Sequence, residues 1–316
     1  MSRDVKALMI DSGAFSVWNN GSEVDLDAYI AFCREYVDVI DLIVALDVIP
    51  GRPKDKASLT RANISAACEK SWENYKRMIE SGLPREKVLP VFHQNDDWKW
   101  LELFMKEEIP YFGLSPANDS DSNRRQMWLD TCMKFVCGPD GMPLAKFHGF
   151  AVTSVKLMAR YPWYSVDSVT WMYYSRNGAI IVPHRKADGS WDYFRSPQWV
   201  FVSTKVQKNM QKWVGKVHYL LASANEKKAL EQYLELAGVG IGKSAYRKES
   251  LEYKPIQRKE TVFKKYKDHI VVEEIVEPGV SNDPLLRGVV CQFFFDQVAK
   301  QLPWPRPFKG GRRSLL

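Results

Sequence analysis

Two aspartates lie far apart in the sequence, and each stands at the end of a short apolar run. Asp11 follows residues 8–10, and Asp167 follows residues 165–166. Small or polar residues come next in both places, which is typical of a tight turn. A carboxylate at the C-terminal end of a buried strand is where α/β barrels place their chemistry. The alternative for each aspartate alone is a helix cap or a turn residue.

Such a pair of carboxylates can divide the work of glycosyl transfer. One attacks the anomeric carbon of a sugar and the other moves a proton, so that a covalent intermediate splits one hard displacement into two. From strand position alone, this chemistry is one option among several. The five histidines show neither HxxxH nor HExxH spacing, which disfavours metal catalysis. His148 lies inside a strand pattern, where a buried barrel-lining histidine is the alternative to a functional one.

Three further positions could recognise a ligand. Asp47 ends the apolar run over residues 42–46, and a carboxylate can accept the N1–H and 2-amino hydrogen bonds that guanine donates. Gln94 follows a strand and can both donate and accept, which suits a carbonyl or a ring nitrogen. Gly113 could let a ligand approach the backbone. The alternatives are a cap or salt bridge for Asp47, loop hydrogen bonds for Gln94, and tight packing for Gly113.

The elements that must position these residues alternate between strand and helix up to residue 183. The hydrophobic pattern predicts strands over 6–11, 41–48, 88–92, 111–114, 146–152, 165–166 and 178–183. It predicts helices over 25–38, 56–81, 98–106, 124–136 and 154–160. This alternation is typical of parallel strands joined by right-handed crossovers. A closed barrel needs an eighth strand, for which residues 216–221 are the candidate.

We therefore predict an α/β fold of the TIM (β/α)8 type, regular or irregular. Polar strand ends spread over several strands converge only if the sheet closes, whereas an open doubly wound sheet is the alternative. Residues 1–190 should form the catalytic core, and residues 191–303 should complete the barrel and add a basic, mainly helical region. Residues 304–316 form a basic, turn-rich tail whose composition is compatible with disorder.

The charge balance favours a polyanionic partner. The formal net charge is +7, and thirteen lysines lie between residues 205 and 267. A basic surface attracts phosphate backbones, so this region should bind nucleic acid without sequence preference. A solvated helical surface is the alternative, and the clearest helix pattern there covers residues 225–237.

Cysteine usage and hydropathy predict a cytoplasmic protein. The five cysteines are scattered and odd in number, which is typical of reduced thiols and not of a disulfide framework or a zinc site. The sequence shows no signal peptide, and no run of about 18 apolar residues that could span a membrane.

The segment Asp11-Ser12-Gly13-Ala14-Phe15-Ser16 resembles the Asp-Ser-Gly-[Gly/Ser]-Phe-Gln signature of the tRNA-guanine transglycosylases. Residues 166–178 resemble the nucleophile segment of that family, which in its archaeal branch begins Phe-Asp-Ser-Ala-Ala-Tyr. His93-Gln94 stands where the family has Val-Gln-Gly, and Phe112-Gly113-Leu114 where it has Gly-Gly-Leu. The matches are short, but they occur in the family's order over residues 8–185.

The resemblance implies a TIM-barrel pentosyltransferase that exchanges guanine in a polynucleotide for a free 7-deazaguanine base. Asp167 would attack C1′ and hold the covalent intermediate, and Asp11 would be the general acid/base that deprotonates the incoming base. No metal and no redox cofactor would take part. The residues expected to bind substrate are Asp47, Gln94, Gly113, Ser12, Phe15, His148 and Arg176.

The cysteine pattern of the sequence departs from that of the tRNA enzymes. Their Cys-x-Cys-x-x-Cys…His zinc site follows the nucleophile, whereas here only Cys291 lies beyond residue 137. The zinc-less form is more similar to the viral DNA-guanine transglycosylases, which insert 7-deazaguanines into DNA in the host cytoplasm. DNA is therefore the expected partner and tRNA the alternative. A non-catalytic nucleic-acid-binding subunit is a third hypothesis, and a glycosidase, which the basic surface does not favour, is a fourth.

A base that reacts inside a polynucleotide must first leave the stack. Aromatic side chains near the pocket could support such a flipped nucleotide, and the candidates are Phe15, Trp18 and Trp171. Packing in the core is the alternative role for each of them.

Overall fold

The computed structural model describes residues 7–52, 55–117, 121–152, 154–205, 218–256 and 259–310. The described chain is a mixed α/β structure that divides into two units. The first unit contains the described residues up to 152, together with 160–167 and 304–310. The second contains the described residues of 154–159 and 168–303. The division thus falls near residue 167.

Short parallel strands form the centre of the first unit. They are β1 (Met9–Ile10), β2 (Leu42–Val44), β3 (Val88–Leu89), β4 (Val91–His93), β5 (Tyr111–Ser115), β6 (Lys146–Gly149) and β7 (Ser165–Val166). One parallel sheet has the order β1-β2-β3, and a second has the order β4-β5-β6-β7. In both sheets the strands are neighbours in the order in which they occur in the chain.

Pro90 divides the predicted strand 88–92 into β3 and β4. Proline has no N–H to give to a ladder, so it interrupts the regular pairing. The carbonyl of Leu89 still accepts from the Ala45 amide at 2.8 Å, and that of Pro90 accepts from the Gly113 amide at 2.8 Å. The chain around Pro90 therefore pairs with β2 on one side and with β5 on the other, which joins the two sheets in sequence.

Helices connect the strands of the first unit. They are α1 (Ala14–Asn19), α2 (Leu26–Glu35), α3 (Arg61–Glu80), α4 (Trp98–Lys106) and α5 (Ser122–Val136). Four of them begin at side-chain caps, because Asp25, Thr60, Asp97 and Asp121 each accept backbone amides of the first turn. The bounds of α4 agree with the prediction, and α3 begins later than predicted, after a short 3₁₀ turn at Lys56–Ser58.

Large apolar side chains on the strands make the core of the first unit. The rings of Phe92, Phe112 and Phe147 and the side chains of Ile43 and Leu89 are completely or almost completely buried. These residues lie on β2 to β6 and account for the continuous apolar runs in the sequence, as expected of parallel strands covered on both faces.

The segment 304–310 is packed in the first unit, which corrects the prediction of a tail that begins at residue 304. The Phe308 amide donates to the Gly141 carbonyl at 2.8 Å, and the Phe308 ring stacks on Tyr161 with 5.7 Å between centroids. Its prolines, glycines and basic residues suggested disorder, but Trp304 and Phe308 supply aromatic surface to bury. Residues 311–316 lie outside the described residues.

The second unit has different topology. Its helices are α7 (Thr170–Arg176), α8 (Ala224–Leu236) and α9 (Pro284–Lys300), and α6 (Val155–Arg160) spans the unit boundary. Its strands are β8 (Ala179–Val182), β9 (His184–Arg185), β10 (Trp191–Asp192), β11 (Gln198–Phe201), β12 (Lys243–Glu249), β13 (Glu260–Lys265) and β14 (Ile270–Glu277). Strand β8 pairs antiparallel with β11, so the prediction that residues 178–183 continue the parallel run was wrong.

The prediction of a mainly helical basic region was also wrong. Helix α8 agrees with the predicted helix 225–237, but β12, β13 and β14 form an antiparallel sheet in the order β12-β14-β13. Lysine and glutamate are good helix formers, but here they alternate with valine, isoleucine and aromatic residues at the period of a strand.

The candidate eighth strand is not a strand where the structure describes it. Residues 216 and 217 lie outside the described residues, as do Lys208 and Lys212. Residues Tyr219–Leu221 form a 3₁₀ turn. Across the described ranges, none of the helices combines the length and the apolar character that crossing a membrane requires.

Candidate active site

Polar side chains follow the carboxyl ends of the parallel strands in the first unit. Asp11 comes directly after β1, Asp47 follows β2 by three residues, and His93 ends β4. His148 lies in β6, and Asp167 comes directly after β7. Parallel strands end at the same edge of a sheet, so Asp11 and Asp47 share the carboxyl edge of the β1–β3 sheet. His93 and Asp167 share that edge of the β4–β7 sheet, with His148 inside its strand β6.

A tight turn after β1 connects the ends of β1 and β2. Gly13 has a φ of +73°, a conformation that favours glycine, and α1 begins at the next residue. The Ser12 side chain is buried, accepts the Ala14 amide at 3.3 Å and donates to Asp47 Oδ1 at 3.4 Å. The sequence Asp-Ser-Gly thus places Asp11 at the strand end and uses its serine to hold a second carboxylate.

A histidine lies between two aspartates at the ends of β2 and β4. His93 Nε2 is 2.9 Å from Asp47 Oδ2, and His93 Nδ1 is 3.3 Å from Asp96 Oδ2. The same Asp96 oxygen accepts the His93 amide at 2.7 Å. Burial opposes the charge on this ring, but the hydrogen bonds and charges of the two aspartates outweigh it and raise the pKa of His93 to about 10. His93 is therefore an imidazolium at neutral pH.

No pattern in the sequence predicts a role for His93 or Asp96. Asp47 lies 46 residues before His93, so their contact depends on how β2 and β4 are brought together. The local signal was a histidine at a strand end with an aspartate three residues later, which is also a common turn pattern.

A second histidine lies beside Asp167. His148 is buried, its Nδ1 is 2.5 Å from Ser165 Oγ, and its Nε2 is 3.4 Å from Asp167 Oδ1. The hydroxyl of Tyr111 is also 2.5 Å from Ser165 Oγ, so β5, β6 and β7 each contribute to this network. His148 is therefore a buried strand histidine that faces the candidate nucleophile.

The backbone after β6 also holds Asp167. The Ala151 amide donates to Asp167 Oδ1 at 2.9 Å, and Ala151 has a φ of +53°, an unusual conformation for alanine. Burial acts to raise the pKa of Asp167, but His148 and the Ala151 amide outweigh it and lower that pKa below its ordinary 3.8. Asp167 is consequently ionised over the physiological range.

The pKa of Asp11 is shifted in the opposite direction to that of Asp167. Burial is the largest cause that raises its pKa, followed by the negative charge of Asp47, and the charge of Asp167 raises it further. The charge of His148 acts on it in the lowering direction. These interactions show that Asp11, Asp47, His148 and Asp167 share one electrostatic environment in which the two candidate catalytic carboxyls differ in proton affinity.

Gln94 and Gly113 have structural contacts in this edge. Gln94 Oε1 accepts the Ala117 amide at 2.8 Å and so holds the loop after β5, which was the alternative considered for this residue. A Cβ on Gly113 would overlap the ring of Phe150, which in turn contacts His148 edge to face at 4.5 Å between centroids. Glycine at position 113 therefore makes room for Phe150.

The remaining predicted residues are placed less centrally. Phe15 is exposed on α1, with its ring 6.0 Å from that of Trp18, and the Trp18 indole donates to the Gly51 carbonyl at 3.0 Å. Arg176 is exposed at the end of α7 in the second unit, where Trp171 also lies, beside Gly288. The structure thus brings together Asp11, Ser12, Asp47, His148 and Asp167, all within the first unit.

Two spaces in the first unit adjoin Asp47. A cleft of about 600 Å³ is lined by Asp47, Trp18 and Leu46 and by the basic residues Arg52, Lys70 and Arg77. This volume is sufficient for a nucleobase or a nucleotide. A smaller cavity of about 20 Å³ is lined by Asp47, His93 and Asp96 together with Cys68, Ser71 and Trp100.

Within the described part of the chain, no cluster of three or more histidine, cysteine or acidic side chains is arranged to hold a metal ion. Comparison of the sequence with models of protein families and with curated protein sequences gave no match. The chemistry of the strand-end residues is therefore the basis on which a function can be inferred.

Proposed function

We propose that the protein is a transglycosylase that exchanges guanine in DNA for a 7-deazaguanine base through a covalent aspartyl-deoxyribose intermediate. The observation that carries the proposal is the opposite pKa shift of Asp11 and Asp167, which follow the ends of β1 and β7 and interact electrostatically. Carboxyls whose pKa values are moved apart are suited to different roles, one as a nucleophile and one as a proton carrier.

Asp167 takes the role of nucleophile. Its ionised carboxylate attacks C1′ of the target nucleotide, a C1′–O bond forms, and the C1′–N9 bond breaks with its electron pair going to guanine. The Ala151 amide and His148 contact Oδ1, which leaves Oδ2 as the attacking atom. Since more than half of the Asp167 side chain is solvent-accessible, a nucleotide can reach it.

Asp11 takes the role of proton carrier. In its protonated form it donates a proton to the departing guanine, and as a carboxylate it then accepts the N9 proton of the incoming base. The N9 atom of that base attacks C1′ and releases Asp167, so both aspartates return to their initial states. The raised pKa of Asp11 supports this assignment because it increases the protonated fraction in the free enzyme.

Asp47 takes the role of base reader. One of its oxygens lies toward Ser12, beside Asp11, and the other accepts from His93. A carboxylate has about four acceptor positions on its two oxygens, so it can still accept the N1–H and 2-amino donors of a guanine-type base.

The order of the strands supports a barrel, complete or partial, as the scaffold. A doubly wound sheet reverses its strand order at a switch point, whereas β1 to β7 follow the chain order throughout. The polar residues at the ends of β1, β4 and β7 can then converge from different directions.

The sheet β12–β14 supports a polynucleotide substrate, which this proposal takes to be DNA. It and its loops carry seven exposed lysines and two exposed tyrosines, a combination suited to phosphates and unstacked bases. The residues are Lys243, Lys248, Lys254, Lys259, Lys264, Lys265, Lys267, Tyr246 and Tyr266.

Exchange of labelled guanine tests the proposal. The protein is incubated with radiolabelled guanine and with duplex DNA, single-stranded DNA or tRNA, and label in the polynucleotide is counted. We expect label in DNA, and none with Asp167→Asn. Asp188→Asn is the matched control, since Asp188 also accepts a backbone amide at 2.9 Å but lies in an exposed turn of the second unit. Label in tRNA alone would reassign the substrate, and exchange by Asp167→Asn would refute the mechanism.

A further inference from the structure

We infer that His93 is a positioning residue, held between Asp96 and Asp47, that fixes Asp47 as a hydrogen-bond acceptor and thereby selects purines with a guanine-type donor edge. This inference deepens the proposed function and rests on it. It concerns how the base is chosen and not how the glycosidic bond is broken.

The geometry requires both ring nitrogens of His93 to be donors. Each lies within hydrogen-bond distance of a carboxylate oxygen, 2.9 Å for Asp47 and 3.3 Å for Asp96. A carboxylate can only accept, so each of these contacts needs an N–H on the ring. A neutral imidazole carries one N–H and would leave one contact unsatisfied, which is why the charged ring fits this position.

The surroundings keep this arrangement in place. The His93 side chain is about three-quarters buried, and those of Asp47 and Asp96 are 13% and 8% exposed. The raised pKa of His93, to about 10, agrees with the contacts. From α3, the thiol of Cys68 lies beside Asp96, and its pKa is raised by burial and then by that aspartate, so it stays neutral.

The consequence for recognition concerns the remaining acceptor capacity of Asp47. With His93 donating to Oδ2 and Ser12 donating to Oδ1, both oxygens of Asp47 serve as acceptors, and their remaining lone pairs face the incoming base as acceptors. A guanine-type base presents N1–H and a 2-amino group, which are donors. An adenine-type base presents N1 as an acceptor, which would face a carboxylate lone pair and leave both groups unsatisfied.

The first test is a titration of the histidine rings by NMR in the full-length protein, which does not depend on catalysis. We expect the His93 ring to keep the spectrum of an imidazolium at pH 8. In Asp96→Asn, where one carboxylate acceptor is lost, the ring should titrate at lower pH. His269 is the internal control, because it also lies 2.9 Å from an aspartate, Asp268, whose side chain is 84% exposed. A His93 ring that is neutral at pH 8 would overturn the inference.

The second test measures binding of the free bases 7-deazaguanine and 7-deazaadenine by calorimetry. The wild-type protein should prefer 7-deazaguanine, and His93→Gln should weaken its binding by about 10-fold and reduce the preference. Asp96→Asn, which retains His93, should have a smaller effect in the same direction and serves if His93→Gln fails to fold. His269→Gln should bind as the wild type does. An unchanged preference in His93→Gln, or no preference in the wild type, would overturn the inference.

The two tests separate this inference from the proposed function. If the protein binds 7-deazaguanine through His93 and Asp47 but Asp167 forms no adduct with DNA, the base-reading role stands and the transglycosylase reaction fails. If exchange occurs but His93→Gln discriminates purines normally, the reaction stands and the role of His93 fails.

Discussion

In the second unit, the guanidinium of Arg247 lies 2.5–2.9 Å from three carboxylates, those of Glu249, Glu260 and Glu274. In the first unit, Asp47 and Asp167 lie beside histidines, and Asp11 lies in the field of both aspartates. The cluster around Arg247 pairs one cation with carboxylates on an antiparallel sheet. The cluster in the first unit gathers like charges at the ends of parallel strands.

The pKa shifts follow this difference. Hydrogen bonds from Tyr253 and Arg247 lower the pKa of Glu260 to about 2, as expected of a carboxylate that serves the fold. The pKa of Asp11 is raised by burial and by the charges of its acidic neighbours. Like charges that are kept together cost stability, and clusters of this kind with shifted pKa values are concentrated at functional sites, in line with the proposed chemistry.

Paired substitutions should separate the two regions most clearly. Asp167→Asn removes the nucleophile and should lower kcat for guanine exchange by about 10⁴-fold or more, with little change in Tm. Glu260→Gln removes one partner of Arg247 and Tyr253 and should lower Tm while exchange per folded molecule is retained. Calorimetry and the exchange assay measure both variants. Loss of exchange in a folded Glu260→Gln protein would contradict this contrast.

Asp11→Asn should lower kcat by about 10²- to 10⁴-fold and change its pH dependence. The reaction needs Asp167 ionised and Asp11 protonated. Because the pKa of Asp167 is lowered, activity should decline on the acidic side only below pH 3.8. Because the pKa of Asp11 is raised above its ordinary 3.8, the loss of activity on the basic side should begin above pH 3.8. The basic limb of kcat/KM should be absent in Asp11→Asn, and its persistence would assign the proton to another group.

The raised pKa of His93 should make the free energy of unfolding depend on pH. Its pKa is raised from 6.5 to about 10 in the folded protein, so its contribution is fully present below pH 6.5 and is lost as pH rises through about 10. The contribution should be on the order of 5 kcal/mol. Urea unfolding at pH 6 and pH 10 measures it, and the difference between the two pH values should be smaller in His93→Gln than in the wild type. Equal differences would show that His93 is not charged in the folded state.

Gly113→Ala should destabilise the first unit by about 1–3 kcal/mol, because the added methyl overlaps the Phe150 ring. Phe150 contacts His148, so exchange should also fall. Gly238→Ala is a contrasting glycine substitution, since no atom lies near its added methyl, although its φ of +69° still disfavours alanine. A Gly113→Ala protein as stable as the wild type would show that Phe150 moves aside without cost.

The smallest expected effect comes from Ala151→Gly. Glycine adopts the φ of +53° without strain but has more freedom in the unfolded chain, so the two effects should leave a change of less than about 1 kcal/mol. The amide that donates to Asp167 is retained, so exchange should be unchanged. A large loss of exchange would mean that the strained alanine itself matters to the site.

Several features of the fold were predictable because they depend on local pattern. Helices α4 and α8 have caps and apolar spacing within a single segment, and their observed bounds agree with the prediction to within one residue. The aspartates at the ends of β1 and β7 were visible because a polar residue follows an apolar run.

Other features depend on pairings between distant segments. Nothing local distinguishes β8 as a partner of β11, nor the lysine-rich β12–β14 as a sheet instead of helices. The contact between His93 and Asp47 is of the same kind, since it is made only when β2 and β4 come together. The packing of residues 304–310 also depends on partners far away in sequence, Gly141 and Tyr161.

In the proposed reaction, Asp167 forms a covalent bond to deoxyribose while Asp11 carries the proton. Its most direct test is to incubate the protein with a guanine-containing duplex oligonucleotide, denature the mixture, and map any protein–DNA adduct by mass spectrometry. We expect an adduct on the peptide that contains Asp167, none in Asp167→Asn, and a slower-forming adduct in Asp11→Asn. An adduct on another residue, or none with the wild-type protein while exchange proceeds, would contradict it.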